Sequence, residues 1–534
     1  MFGSHEVSIG IAKRQTVVTG FLLGGAMADL GVVNIGEDGD HRLRIYGFDD
    51  DAWAQTLEAA LSPHVTFVDV ASIDGRDRLI MYEGGRLSWF DPESAISHSL
   101  VAVTSNFERP RENEIPHVDV TRDVNGDGLD DLIVPDEDGF WVIVQMSDGR
   151  FADPVKIGPA TDMSGIYGAD GYRYDPWSQS RVHEIDYNHD GRNDMVFWIE
   201  DHFEVHLQDA RGQFAPKAEI FTTKVAFDSD DVLSLAIGDM TGKVLHSLAD
   251  LNGDGVADLV VYSLEGRRIS EKCSTYEVHY GKPTPDGGTE FASEVGVSFQ
   301  SHDRIQLGMD RHDFDGDGQV DVMLTTIEVR FLSNNPWKRW KGFWGDDIWL
   351  ELEFYRMEGG RYPNEPNATR RIQLLGDNPS APGWVPLDLV LRGGKHEHRK
   401  TQVHPVLVGG FGAFTKDWRR LSEVSSKNYP PVFNRTLFIA DVTGDGRSDL
   451  LIEETFRGPR VFVGVPGQNL YARRPEKVKI AVPNDEEYTW LVDINKDGQQ
   501  DILMHHVFTL RDKEGGRVLP LGTEPHRVVV LIAR

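Results

Sequence analysis

One acidic nine-residue segment, present six times, limits what this chain can fold into more than any other feature. It reads Asp313-Phe-Asp-Gly-Asp-Gly-Gln-Val-Asp321 in one copy. The others are DVNGDGLDD from Asp123, DYNHDGRND from Asp186, DLNGDGVAD from Asp250, DVTGDGRSD from Asp441 and DINKDGQQD from Asp493. All share a carboxylate at position 1, an oxygen-bearing side chain at 3, Asp at 5, Gly at 6 and Asp at 9. Oxygen donors crowded on a short, sharply turned loop suit a hard cation such as Ca²⁺, and the glycine permits the turn. An EF-hand starts in the same way but needs flanking helices and a bidentate Glu at position 12. Here position 12 is Val134, Phe197, Val261, Leu324, Ile452 or Met504, inside an apolar run that reads as a buried strand. The segment therefore belongs to a strand–loop–strand hairpin.

The position-5 aspartates Asp127, Asp190, Asp254, Asp317, Asp445 and Asp497 are spaced by 63, 64, 63, 128 and 52 residues. That period suits a four-stranded unit. In 117–157 the pattern predicts strand a at 117–121, strand b at 131–135 after the acidic loop, strand c at 141–146 and strand d at 151–157. Antiparallel four-stranded units in series point to a β-propeller. Two worn copies precede the six intact ones. Residues 28–48, with 16–22 as strand a, match strands b and c. Residues 68–89 carry Asp74-Gly75 at positions 5 and 6 but Arg78 at position 9, where the guanidinium stands in for an ion. The expectation is an all-β chain, 1–534, forming one propeller of eight blades, with seven as the alternative. Its C-terminal strand at 526–532 lacks a fourth partner, which residues 6–11 can supply to close the ring. The doubled interval reads as an insertion at 376–435, and a second insertion lies at 333–347.

The acidic loops, the apolar strands after them and their spacing resemble the FG-GAP/VCBS repeat family, whose best-known members are the integrin α-subunit head propellers. The resemblance spans about residues 15–534 and implies about six calcium sites. The implied ligands are Asp123, Asn125, Asp127, Leu129 and Asp131; Asp186, Asn188, Asp190, Arg192 and Asp194; and Asp250, Asn252, Asp254, Val256 and Asp258. They continue with Asp313, Asp315, Asp317, Gln319 and Asp321; Asp441, Thr443, Asp445, Arg447 and Asp449; and Asp493, Asn495, Asp497, Gln499 and Asp501. In each set the position-7 residue contributes its backbone carbonyl. The family includes adhesion modules, lectins and polysaccharide lyases, so it does not fix an activity.

Composition narrows the partners. The formal net charge of −31 argues against nucleic acid or an anionic membrane surface, and much of the acid lies in the repeated loops. No apolar run is long enough to span a bilayer. Residues 1–27 lack a signal-peptide pattern, so the chain is a mature form or is not exported. Low-affinity calcium loops fill best outside the cytosol, which favours an extracellular or periplasmic protein. A single cysteine, Cys273, excludes an intramolecular disulfide and reads as an inert thiol.

A propeller sorts its connections onto two faces. The a–b acidic loops and c–d turns share one; the b–c and d–a connections share the other. The long irregular segments 158–181, 264–274, 333–347 and 376–435 fall on the second face, where a rigid scaffold usually carries its binding residues. Two of them are rich in aromatic residues: Tyr172, Tyr174 and Trp177 beside Arg173, and Trp337, Trp340 and Trp344 beside Lys338 and Arg339. Such rings stack on sugars or anchor a protein partner; they also serve to plug a channel or touch lipid. The expected role is binding, adhesion or assembly through this face. The alternative is a lectin or a polysaccharide-lyase-like enzyme using the same residues together with His396 and His398. That His-Glu-His segment also offers two imidazoles to a transition metal, but with no third ligand in the pattern a solvated loop is the better reading. The sequons at Asn367 and Asn434 and the pair His505-His506 carry no functional reading here.

Overall fold

The computed structural model describes residues 2–534 apart from 12–13, 110–113, 160–172, 175–181, 228–241, 266–272, 302–303, 329–348, 374–388, 394–434, 453–459, 467–469, 479–488, 507–509, 512–516 and 519–525. Apolar runs between acidic turns form antiparallel hairpins, and these assemble into eight four-stranded sheets in a ring. The protein is an eight-bladed β-propeller, and the seven-blade alternative falls away.

Blade 1 consists of Thr16–Gly20, Asp29–Ile35, His41–Asp49 and Ala52–Ala60. Blade 2 consists of Phe67–Ile73, Arg76–Tyr82, Arg86–Asp91 and Ile96–Ala102. The first strand of each is almost wholly buried and the last largely exposed, so strand a lies innermost and strand d at the rim. Blade 3 uses Thr121–Arg122, Asp131–Asp136, Gly139–Ile143 and Val155–Ile157. Blades 4 to 7 repeat the order within 182–221, 242–301, 304–373 and 435–477. Blade 8 is composite. Thr489–Val492, Asp501–His506 and His526–Ala533 take Phe2–Gly10 as their outermost strand, in antiparallel register from Phe2↔Ala533 to Gly10↔His526. The closure expected from the unpaired C-terminal strand is present, with one bulge between Ser8 and Gly10.

The core lies between neighbouring blades. Val7, Ile9, Leu30, Val32, Leu503 and Val530 pack blade 8 on blade 1, and Phe140 and Phe197 are buried together between blades 3 and 4. Each sheet alternates its side chains toward the blade on either side. No blade can therefore bury both faces alone, so the ring is needed to complete every core.

Three details depart from the sequence reading. The stretch expected as strand a of blade 3 is split. His117–Val118 pairs in parallel with the inner edge of blade 2, and only Thr121–Arg122 joins blade 3. The carboxylate of Asp69 explains the split, because it accepts the N–H of Val120 at 2.8 Å and binds the His117 ring at 2.8 Å. Blade 2 has no acidic loop for an arginine to neutralise. Asp74 and Gly75, both with positive φ, make a two-residue hairpin turn, and the Arg78 guanidinium lies 3.6 Å from the ring centroid of Trp89. Third, of the interval 376–435, Leu389–Gly393 is described and runs parallel along the inner edge of blade 7. Segment 333–347 lies outside the described residues.

Candidate functional site

All six acidic loops have the same internal wiring. The position-1 carboxylate accepts the N–H of the position-6 glycine at 2.7–2.9 Å and of the position-5 aspartate at 3.0–3.3 Å. The position-5 carboxylate accepts the position-7 N–H at 2.8–3.1 Å. The position-6 glycines all adopt φ between 81° and 86°. Position 4 is left-handed as well and is glycine in four loops; the exceptions are His189 and Lys496. Their side chains offset that cost by reaching neighbouring blades. The His189 ring lies 3.2 Å from the Gly288 carbonyl, and the Lys496 ammonium sits 3.8 Å from the Phe21 ring centroid.

The position-9 carboxylates Asp131, Asp194, Asp258, Asp321, Asp449 and Asp501 sit behind the loops, buried. Each accepts the position-2 N–H on one oxygen, and on the other the N–H of a residue beyond strand c or at its end: Gln145, Gln208, Gly281, Met357, Gly464 or Ala533. Burial pushes Asp131 up to about 8, Asp258 and Asp321 to about 7, and Asp194 and Asp501 to about 6, against the lowering effect of those N–H groups. Asp449 moves in the same direction for the same reason.

The chemistry available to an ion differs between loops. Asp313, Asp315 and Asp317 bring three carboxylate oxygens within 4.8 Å of one another, the one such cluster among the described residues. Elsewhere position 3 is an amide or hydroxyl: Asn125, Asn188, Asn252, Thr443 or Asn495. In two loops the position-7 arginine pairs with the position-5 carboxylate, Arg192 with Asp190 and Arg447 with Asp445. Arg356 reaches Asp315 at 3.3 Å. The donors fit a hard divalent cation: oxygen atoms alone, on a turn already organised by its own N–H groups.

The loops are also tied around the ring. Gln208 of blade 4 donates to the Asn125 carbonyl of blade 3 at 2.8 Å, and Gln145 of blade 3 donates to the Ser72 carbonyl of blade 2 at 2.9 Å. Tyr362 of blade 6 donates to the Leu251 carbonyl in the blade 5 loop at 2.9 Å. Neither these ties nor the buried position-2 residues Val124, Leu251, Phe314, Val442 and Ile494 figured in the sequence reading. The constant apolar residue inside an acidic loop was the signal for the latter. The ties leave no pattern in sequence, because their partners are backbone carbonyls.

At the opposite ends of the strands, Arg173–Tyr174 pairs in parallel with His117–Val118, which itself lies along blade 2. Arg173–Tyr174, within the d–a connection 158–181, thus lies alongside the strand that carries His117 of the Asp69–His117 pair, which the sequence reading missed. Asp69 is 1% exposed and His117 13%. Tyr172, Trp177, Trp337, Trp340, Trp344, His396 and His398 lie outside the described residues. Among the described residues no helix is long and apolar enough to cross a membrane.

No family model matches the chain, and no curated protein does. Among solved structures it is similar to an Agrocybe aegerita lectin that recognises non-reducing terminal N-acetylglucosamine, at 14% identity and a TM-score of 0.36, covering 86% of this chain and 93% of that one. It is also similar to the V. cholerae biofilm matrix protein Bap1, at 11% identity and a TM-score of 0.34, covering 98% and 88%. A third is the Bacillus licheniformis rhamnogalacturonan lyase PL11, at 10% identity and a TM-score of 0.25, covering 64% and 55%. At these identities and scores the likeness says nothing about what this chain binds.

Proposed function

We propose that this chain is a calcium-stabilised propeller of the FG-GAP/VCBS type, acting outside the cytosol as a binding, adhesion or assembly module. The observation that supports it best is the common wiring of the six loops. Each holds its position-1 carboxylate on its own N–H groups and presents oxygens from positions 1, 3 and 5 on one turn. The position-7 carbonyls and the remaining lone pairs of the position-9 carboxylates complete the donor set implied by the family resemblance. Calcium would offset the acidic charge that Arg192, Arg447 and Arg356 neutralise only in part.

In this reading 1–534 is one domain, the segments 333–347 and 376–435 are insertions, and the partner meets the b–c and d–a face. Tyr172, Tyr174, Trp177, Trp337, Trp340 and Trp344 form its aromatic contacts, and a glycan or a protein surface is the class they suit. A glycan array and a protein pull-down, each with wild type and a Trp337→Ala/Trp340→Ala variant, test this. Binding lost in the variant with its melting curve intact is the expected result; full binding by the variant removes the aromatic face from the proposal.

One observation favours a second reading, a polysaccharide-active enzyme. The Asp69–His117 pair is a carboxylate-oriented imidazole at the d–a end, the arrangement general bases use. A new unsaturated-uronate absorbance on incubation with acidic polysaccharides, abolished by His117→Ala, would select it.

The arginine-capped loops give a further expected result. Arg192→Ala removes a cation that competes for Asp190, so calcium affinity at that loop rises by about two- to fivefold, in line with an exposed pair worth up to about 1 kcal/mol. Calorimetric calcium titration of wild type and variant checks it. An unchanged isotherm means that the arginine does not compete.

A further inference from the structure

Blade 8 holds three buried imidazoles, His505, His506 and His526, that the acidic loops do not use. Strand b pairs with strand c so that His505 lies opposite Val528 and His506 opposite Arg527. His526, two residues before Val528, is therefore the diagonal neighbour of His505 on one face of the sheet, and His506 points to the other face. The His505 and His526 ring centroids are 5.7 Å apart, with 52° between the planes. Both residues are buried, His526 completely. Neither ring nitrogen of His526 has a hydrogen-bond partner. An imidazole that is fully buried with both nitrogens unpaired is costly, and such groups usually mark a ligand or a function.

We propose that His505 and His526 bind one divalent transition-metal ion of the zinc class. The spacing fits. Two imidazoles sharing one tetrahedral ion, with Zn–N bonds of about 2.0–2.1 Å, place their centroids about 5–6 Å apart. Burial also keeps the rings neutral, the form that donates a lone pair to a metal. The two rings supply two of the four positions of such an ion. The ion would join strand b to strand c at the point where Gly10 of the ring-closing strand pairs with His526. Imidazole selects zinc, copper or nickel, whereas the all-oxygen loops select calcium, so the two kinds of site are separable by ligand chemistry.

The test uses the full chain in excess Ca²⁺, titrated with Co²⁺ and read by visible absorbance and calorimetry, followed by displacement with Zn²⁺. One Co²⁺ per chain is expected, uncompeted by calcium, with affinity at least about tenfold weaker in His505→Ala and in His526→Ala. His526→Leu keeps the packed volume without the ligand, so it separates loss of the metal from loss of the fold. Zn²⁺ should raise the melting temperature of wild type but not of His526→Leu. Co²⁺ uptake by wild type no tighter than that of His526→Leu overturns the proposal. So does uptake that survives both alanine variants and disappears instead in a His396→Ala/His398→Ala variant.

Discussion

Chelating calcium at neutral pH should lower the melting midpoint by about 15 °C. One site held at a hundred times its dissociation constant contributes about 2.7 kcal/mol, so six contribute about 16 kcal/mol. For 534 residues the unfolding entropy is about 1.1 kcal/mol per kelvin, which converts that loss into the stated shift. Differential scanning calorimetry with and without EDTA, alongside elemental analysis of bound metal, measures it. An unchanged midpoint in a protein without metal would sink the calcium assignment.

The pH dependence gives the same experiment a second readout. In the calcium-free protein burial holds the position-9 carboxyls, about 8 for Asp131 and about 7 for Asp258 and Asp321, well above the ordinary aspartate value of 3.8. A carboxyl raised on folding binds its proton more tightly in the folded state. Its contribution is complete below the unfolded value and disappears as pH rises through the folded one. The EDTA-treated protein should therefore lose stability steadily between pH 5 and 8.5. With calcium present the trend reverses, because protons displace the ion from the same loops. Parallel curves with and without calcium would contradict the coupling of these carboxylates to the ion.

The second large effect is expected at the ring closure. Deleting residues 1–11 removes the outer strand of blade 8 and uncovers the core shared with blade 1. Val7 and Ile9 alone bury about 3–6 kcal/mol of apolar contact, and loss of the Phe2–Gly10 ladder leaves strand c with an open edge. The truncated chain should melt at least about 3 °C lower, be cleaved faster by chymotrypsin and self-associate through His526–Ala533. Supplying residues 1–11 as a separate peptide should restore part of the loss. A truncated chain with the wild-type melting curve and protease resistance would mean that the closing strand contributes little.

Much of this architecture was legible because it is written locally. The acidic loops state their own turn: glycine at position 6, acceptors at 1, 5 and 9, and an apolar run immediately after. Each of these acts within a few residues, so the hairpins and their count could be read from the chain. The closing strand was legible for a similar reason, since a final unit short of one strand leaves an edge that the N-terminal segment Glu6–Ile11 can fill.

What failed to show in the sequence depends on distant partners. His117 reads as part of a blade 3 strand until Asp69, 48 residues earlier, captures it for blade 2. Arg78 occupies a loop position in the alignment of repeats, but the hairpin at Asp74-Gly75 has already removed the loop. The His505–His526 pair is separated by twenty residues and is brought together only by the register of strands b and c. The sequence by itself determined the repeat, the strand order and the six oxygen-lined loops, because those follow from local turn chemistry and alternating burial. The tertiary structure alone decided the inner-edge strands, the Asp69–His117 pair and the imidazole pair. Those contacts exist only once the ring has set which strand edges meet and which faces are buried.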